Sequence, residues 1–424
     1  MASIEEFKSA LRRHVVDAWF PHSIDTENGG FFCDFDRQWR SNGPHDKLLE
    51  FQARHTLFAA DAARYFPENS DLRKAADHGF RFLRDVLWDR EFGGWYHSVD
   101  RTGEPIEHHT KHTHGFAYAL SACASYYDLT GDVEAQRLAN DAFEWMEQYA
   151  RDREYGGYFG FLLRDGSVVS NRSMSPYPHD MDTVGTEIGF KDLNVHSDLL
   201  ETFALMFRTW RDPRIGDRLS EAVEIVADRM INPTTGSMHF FVTSDWRPVP
   251  HLIRVGYQSH SAYRLLLALG LTSHDALIRR IAPRIMDSAI RYARADTAEG
   301  YYYAAPGAFP VVLHDHRIQV RRRVWWVQME ALKGLLAVSR IVPDPGPYLQ
   351  LFEEQWRYIR KVFLDDRFGG MYMYGLETTR VWQRKFGARL APPALTRKGD
   401  VWKDASHEGR AMLYCIEMLG TPPD

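Results

Sequence analysis

Apolar residues recur along the chain at i, i+3, i+4 and i+7, the spacing of a helix that buries one face. The stretches come in pairs: 48–65 with 72–87, 113–129 with 133–149, 194–210 with 215–230, 258–271 with 276–293, and 323–341 with 348–363. One near the start, 4–19, and one near the end, 401–419, make a sixth pair. Between the pairs stand six Gly-aromatic segments, beginning at Gly29, Gly93, Gly156, Gly236, Gly300 and Gly369. Their spacings are 64, 63, 80, 64 and 69 residues, the mark of a repeated supersecondary unit. The glycines supply a turn, and the alternating residues that follow read as a short strand.

Helical hairpins that each bury one face must stack, and six of them can close into a ring. The pattern therefore predicts an all-α fold, an (α/α)6 barrel with short β-hairpin turns, as one catalytic domain over residues 1–424. Both termini fall in the last repeat, and the inner helices line a central cleft. The loop at 165–189 carries the longest spacing and contains Pro176 and Pro178. A loop of that length in a compact domain is usually functional or disordered, and this one is placed to cover the cleft mouth.

Composition narrows the function. No run approaches about 18 apolar residues, so no membrane helix is expected. The start of the chain mixes charge with apolar residues and shows no secretory h-region. Three cysteines, none in a CxxC pair, make no disulfide framework and fit a reducing cytoplasm. A net charge of −5 argues against a nucleic-acid surface, leaving a small-molecule partner and a monomer or homodimer. Aromatic residues reach 13%, which fits a large aromatic core or a ring-lined sugar cleft.

Histidine is the natural acid or base near neutral pH, and several of the 19 histidines cluster in four regions. The first, His108 to His114, invites a metal reading. However, His112 and His114 are two apart and point to different helix faces, and no HExxH or Cys/His spacing supports a site. His114, opening an inner helix, is the one expected to face the cleft. The other regions carry His196 followed by Glu201, Tyr257 followed by His260, and Trp402-Lys403 followed by His407. Three histidines opening three helices of one barrel point to a shared cleft. Arg54 and the run Arg321 to Glu330, with Trp325 and Trp326, add candidates; tryptophans edged by polar groups suit a sugar platform. A glycoside hydrolase is the rival reading, with Asp192, Glu201 and Glu330 as its acids. Histidines outnumber carboxylates at the helix mouths, which favours proton transfer at carbon.

In this order the residues resemble the N-acylglucosamine 2-epimerase superfamily, which includes cellobiose 2-epimerases and mannose-type aldose–ketose isomerases. The matching pieces are Gln52-Ala53-Arg54, Gly93-Gly94-Trp95-Tyr96 with Ser98-Val99-Asp100, Lys111 to Phe116, Asn194-Val195-His196 with Leu200-Glu201, Trp325 to Leu332, and Trp402-Lys403 with His407 and Gly409-Arg410. The resemblance implies an (α/α)6 barrel, a sugar substrate, and no metal or redox cofactor. It carries over Arg54, His196, Trp402 and His407 as cleft residues, Trp326 as a further match, and His407 as a catalytic base. Family members usually have Gly-His-x-x-Glu, whose His is the second base. Here Gly256-Tyr257-Gln258-Ser259-His260 puts Tyr in the His position and His in the Glu position.

The implied mechanism is proton transfer next to an open-chain aldehyde, through a cis-enediolate. C2 epimerisation removes a proton on one face and returns it on the other, which takes two bases. Isomerisation returns the proton to C1 on the same face, which takes one. Loss of a family histidine favours the aldose–ketose isomerase, with a C2 epimerase as the alternative. N-acylglucosamine specificity is least favoured, since no nucleotide-binding segment is found. If His260 replaces the missing base, it should stand across the cleft from His407 with room for a sugar carbon between them. If Tyr257 is the functional group, it acts as a proton donor to a sugar oxygen, because an ordinary phenol is protonated at neutral pH.

Overall fold

A computed structural model describes residues 2–250, 253–295, 298–301, 323–375 and 396–421. Six inner helices form a closed ring: α3 (Leu49–Tyr65), α5 (Thr113–Thr130), α7 (Leu193–Trp210), α9 (Val255–Leu267), α11 (Trp325–Ser339) and α13 (Ser406–Gly420), each packed on the next and α13 back on α3. Outside them lie α4 (Ser70–Asp85), α6 (Val133–Trp145), α8 (Pro213–Glu224), α10 (Asp275–Ala293) and α12 (Gly346–Val362). The sixth outer position is filled by α1 (Ile4–Leu11), a π-helical turn (Arg12–Val16) and α2 (Asp17–Ser23). The first and last helices thus share one repeat, as the periodicity predicts. Among the described residues, no helix is long and apolar enough to cross a membrane.

Helix limits differ from the sequence reading where caps are missing. α9 begins at Val255, three residues before the predicted start, so Tyr257 lies inside it. Arg254 at its N-cap makes no capping hydrogen bond, and Gly256 disfavours helix. Packing sets this start: a Cβ at Gly256 would meet the Trp326 ring at 2.4 Å. The last helix begins later than predicted, at Ser406, leaving Trp402 and Lys403 in the preceding loop.

The Gly-aromatic segments are held by a device the periodicity alone does not show. An aspartate four residues before each of four glycine pairs receives a buried lysine: Asp25–Lys47 at 2.9 Å, Asp89–Lys111 at 3.1 Å, Asp152–Lys191 at 2.7 Å and Asp365–Lys398 at 2.9 Å. Within the turn, Asp89 accepts from the backbone N–H of Glu91 and Phe92, and its carbonyl accepts from Gly93. Gly94 has φ of +72°, the left-handed region, and a Cβ there would meet Phe116 at 2.8 Å. The lysines also pin short strands: β1 (Lys47–Leu48) pairs with β2 (Ser98–Val99), and β3 (Lys111–His112) with β4 (Phe161–Leu162). The triplet β5 (Lys191–Asp192), β6 (Phe241–Val242) and β7 (Pro248–Val249) follows the same plan. The turn segment from Gly300 lies in part, at Tyr302 and Tyr303, outside the described residues, as do Arg321 and Arg322.

The inner helices bury a polar stripe as well as apolar flanks. Asn194, Asp198 and Glu201 on α7, Tyr257, His260 and Arg264 on α9, and Trp326, Glu330 and Lys333 on α11 follow helical one-face spacing. On α13 the stripe is His407, Arg410 and Tyr414. These faces meet at the ring centre, and their first members stand at the N-terminal ends of the inner helices, where the cavity opens.

Candidate active site

The cavity, of about 250 Å³, lies at that end of the ring. Eight residues expected from the sequence line it: Arg54, His114, Tyr257, His260, Trp325, Trp326, Trp402 and His407. Four more complete the wall: Tyr118, Val184, Asn194 and Arg254. Val184 comes from the 165–189 loop, so this loop does reach the cleft. It is tied down by Asp182, whose Oδ2 lies 2.8 Å from His112 Nε2. Among the described lining residues there is no carboxylate.

The carboxylates lie one layer deeper and hold the lining in place. Glu330 Oε1 is 2.9 Å from His407 Nδ1, and Glu330 Oε2 is 2.8 Å from Lys333 Nζ and 3.4 Å from His260 Nε2. Burial opposes its charge, but Lys333 and His407 outweigh this and bring the carboxyl to about 2. As an anion it can only accept, so Nδ1 of His407 carries a proton and donates to it, which turns Nε2 toward the cavity side of the ring. Burial holds His260 well below its usual range, with Arg264, Lys333 and His407 adding to the effect. It is therefore a neutral imidazole near neutral pH.

His114 is the opposite case. Its Nδ1 is 3.0 Å from Glu50 and its Nε2 2.9 Å from Asp198. Burial disfavours the charge, yet the two carboxylates outweigh it and raise the group to about 9. It lines the cavity as an imidazolium whose two N–H groups are both held by carboxylates. Arg54 is fixed by Asp404 at 2.8 Å, donates to the Trp402 carbonyl at 3.1 Å, and lies over the Tyr118 ring. Beneath them, Arg264 binds Asp198 and, at 2.8 Å, Glu201; Arg410 binds the other oxygen of Glu201 at 2.8 Å.

Four expected substrate contacts lie elsewhere. His196 is buried outside the lining. Its Nδ1 faces the Asp192 carbonyl at 2.8 Å and its Nε2 accepts from Tyr158 N–H at 3.2 Å. It is two residues past Asn194, about 200° around the helix, and so faces away from the cavity. Lys403 is buried against Glu408 at 2.8 Å. Glu201 and Glu330 are supports below the wall. Asp192, a candidate acid of the hydrolytic reading, caps α7 and accepts from Thr186. His260 also departs from expectation. Its ring centroid is 5.9 Å from that of His407 with the planes at 64°, so the two rings are neighbours in edge contact. Two bases flanking one carbon each need about 3–3.5 Å of approach, and this separation leaves no such gap.

Of the lining residues that the sequence reading did not single out as sites, Tyr118 is four residues after His114, and Arg254 is three before Tyr257. Helical spacing from known lining residues was the available signal for both.

Comparisons with known proteins agree with this fold. Residues 29–386 match the model of the N-acylglucosamine 2-epimerase (GlcNAc 2-epimerase) family. A cellobiose 2-epimerase of Bacteroides fragilis is 25% identical over 420 residues, covering 98% of each chain. The structure of cellobiose 2-epimerase from Spirochaeta thermophila superposes with a TM-score of 0.83 at 26% identity, over 98% of this chain and 96% of that one. A D-mannose isomerase structure shares the fold, with a TM-score of 0.79 at 20% identity, over 99% and 98%. The chain belongs to the N-acylglucosamine 2-epimerase family and is a carbohydrate epimerase/isomerase.

Proposed function

We propose that this chain interconverts an aldose and its ketose, with His407 as the base at carbon. The observation that carries the reading is the side-by-side placement of His407 and His260, which suits one-sided proton transfer. His407 Nε2 takes the C2 proton of the open-chain aldose, giving a cis-enediolate, and the imidazolium returns it to C1 on the same face. The hydroxyl proton at O2 moves to O1 in the same sequence, so atoms balance without a co-reactant. His260, neutral and adjacent, can donate and accept at these oxygens. Tyr257 is a second candidate donor to the ring or carbonyl oxygen. Glu330 holds the His407 tautomer and favours the imidazolium formed in the step. Arg54, Trp326 and Trp402 supply donors and ring faces to the sugar, and His114, clamped between Glu50 and Asp198, lends the wall a positive charge.

The hydrolytic reading loses support, because its carboxylates all lie behind the wall. The C2-epimerase alternative is favoured by the names of the relatives. Incubation of aldoses in heavy water, followed by proton NMR, separates the two. The proposal expects ketose first, with part of the C2 proton retained at C1. A C2 epimer formed faster than ketose would overturn it.

A further inference from the structure

The positive groups in and beneath the cavity wall are not all alike. Arg54, His114, Arg264, Arg410 and Lys333 each have a carboxylate within 3 Å, and their charges are compensated below the wall. Arg254 is different. Its guanidinium lies 3.8 Å from the centroid of the Phe240 ring and 5.8 Å from that of Phe241. Among the described residues no carboxylate pairs with it. It is half-buried, lines the cavity, and leaves its N–H donors without an acidic partner.

Its place along α9 is equally specific. Arg254, Tyr257 and His260 follow one face from the rim inward, with exposure falling to 4% at His260. Six residues of helix rise about 9 Å, comparable with an extended six-carbon chain carrying a terminal acidic group. With C1 and C2 at His407, whose ring neighbours that of His260, a substrate lying along this face extends toward Arg254. The described lining offers no carboxylate to repel an anion there.

We infer that the sugar carries an acidic substituent at the end remote from the reacting carbons, a carboxylate, phosphate or sulfonate, and that Arg254 receives it. The inference rests on the reading of this cavity as the isomerase site. A planar guanidinium braced on an aromatic face forms paired charge-assisted hydrogen bonds to such groups, which a lysine cannot reproduce. Arg254 is thus a specificity-determining residue.

The test compares a neutral hexose with a hexuronic acid, a hexose 6-phosphate and a hexose 6-sulfonate, for wild type, Arg254→Gln and Arg254→Lys. Circular dichroism checks the folding of each variant. Wild type should favour at least one acidic sugar in kcat/KM by roughly 10- to 100-fold. Arg254→Gln should collapse that ratio, and Arg254→Lys should restore only part of it. The preference should also weaken with added salt. Calorimetric titration with the corresponding reduced, unreactive sugar acids is the second arm. Binding of a sugar acid that needs Arg254, with no turnover of any sugar, would uphold the inference and sink the isomerase reading. Neutral hexose turned over as well as every acidic one would overturn the inference and leave the isomerase standing. A preference unchanged in Arg254→Gln would also overturn it.

Discussion

His407 and His260 share one carboxylate. Glu330 reaches His407 Nδ1 at 2.9 Å with one oxygen and His260 Nε2 at 3.4 Å with the other. The two rings stand on one wall, and a change at Glu330 must reach both. Glu330→Gln keeps the shape and can still accept from His407, but removes the charge that favours the imidazolium. It should lower kcat by about 10²-fold or more, with a much smaller change in KM. Steady-state kinetics with near-unchanged circular dichroism would support this; a change in KM alone would assign Glu330 to substrate binding.

The two histidines should not be equivalent. His407→Asn removes the base at carbon and should cost about 10²- to 10⁴-fold in turnover, together with the exchange of the C2 proton in heavy water. His260→Asn should slow net conversion while C2 exchange survives in part, because proton removal remains available to His407. Equal loss of exchange in both variants would contradict the one-base scheme.

Much of the fold could be read from the sequence because the repeat is long and each unit carries its own turn. The 64-residue spacing tells where helices alternate, and the ring follows from that alternation. The site was harder, since it depends on which face of each inner helix meets the centre. His196 looked like a cleft residue because it opens α7 beside Asn194. The stripe Asn194, Asp198, Glu201 runs on the other side, and His196 is consumed by two backbone contacts. The start of α9 was hidden for a related reason: Arg254 offers no capping side chain, and Val255 and Gly256 are poor helix formers. It is packing against Trp326 that carries the helix back to Val255.

The clamp on His114 has a pH signature. This group is raised from 6.5 to about 9 in the folded chain. It binds its proton more tightly when folded, so the stability it brings is complete below about 6.5 and fades as pH rises through about 9. Urea midpoints of wild type and His114→Gln should therefore differ most near pH 6 and converge toward pH 10. A gap that stays constant over this range would mean that His114 is not charged in the folded chain.

Lys403 separates a supporting role from a substrate contact. It precedes His407 by four residues and was expected to touch the sugar, but its Nζ lies 2.8 Å from Glu408 Oε1 and its side chain is fully buried. Trp19 Nε1 donates to the same oxygen at 3.3 Å, and the ammonium lies 5.2 Å from the centroid of the Trp325 ring. Lys403→Met keeps the length of the side chain but leaves Glu408 as a buried charge with one weak donor. Breaking a buried pair from one side typically costs about 3–5 kcal/mol. The lysine thus ties the loop carrying Trp402 to the helix carrying His407. Lys403→Met should lower the urea midpoint substantially, while KM of the protein that remains folded changes little. Replacing both partners, Lys403→Met with Glu408→Gln, removes the orphaned charge and should recover part of the lost stability. A large rise in KM at unchanged stability would instead return Lys403 to the substrate.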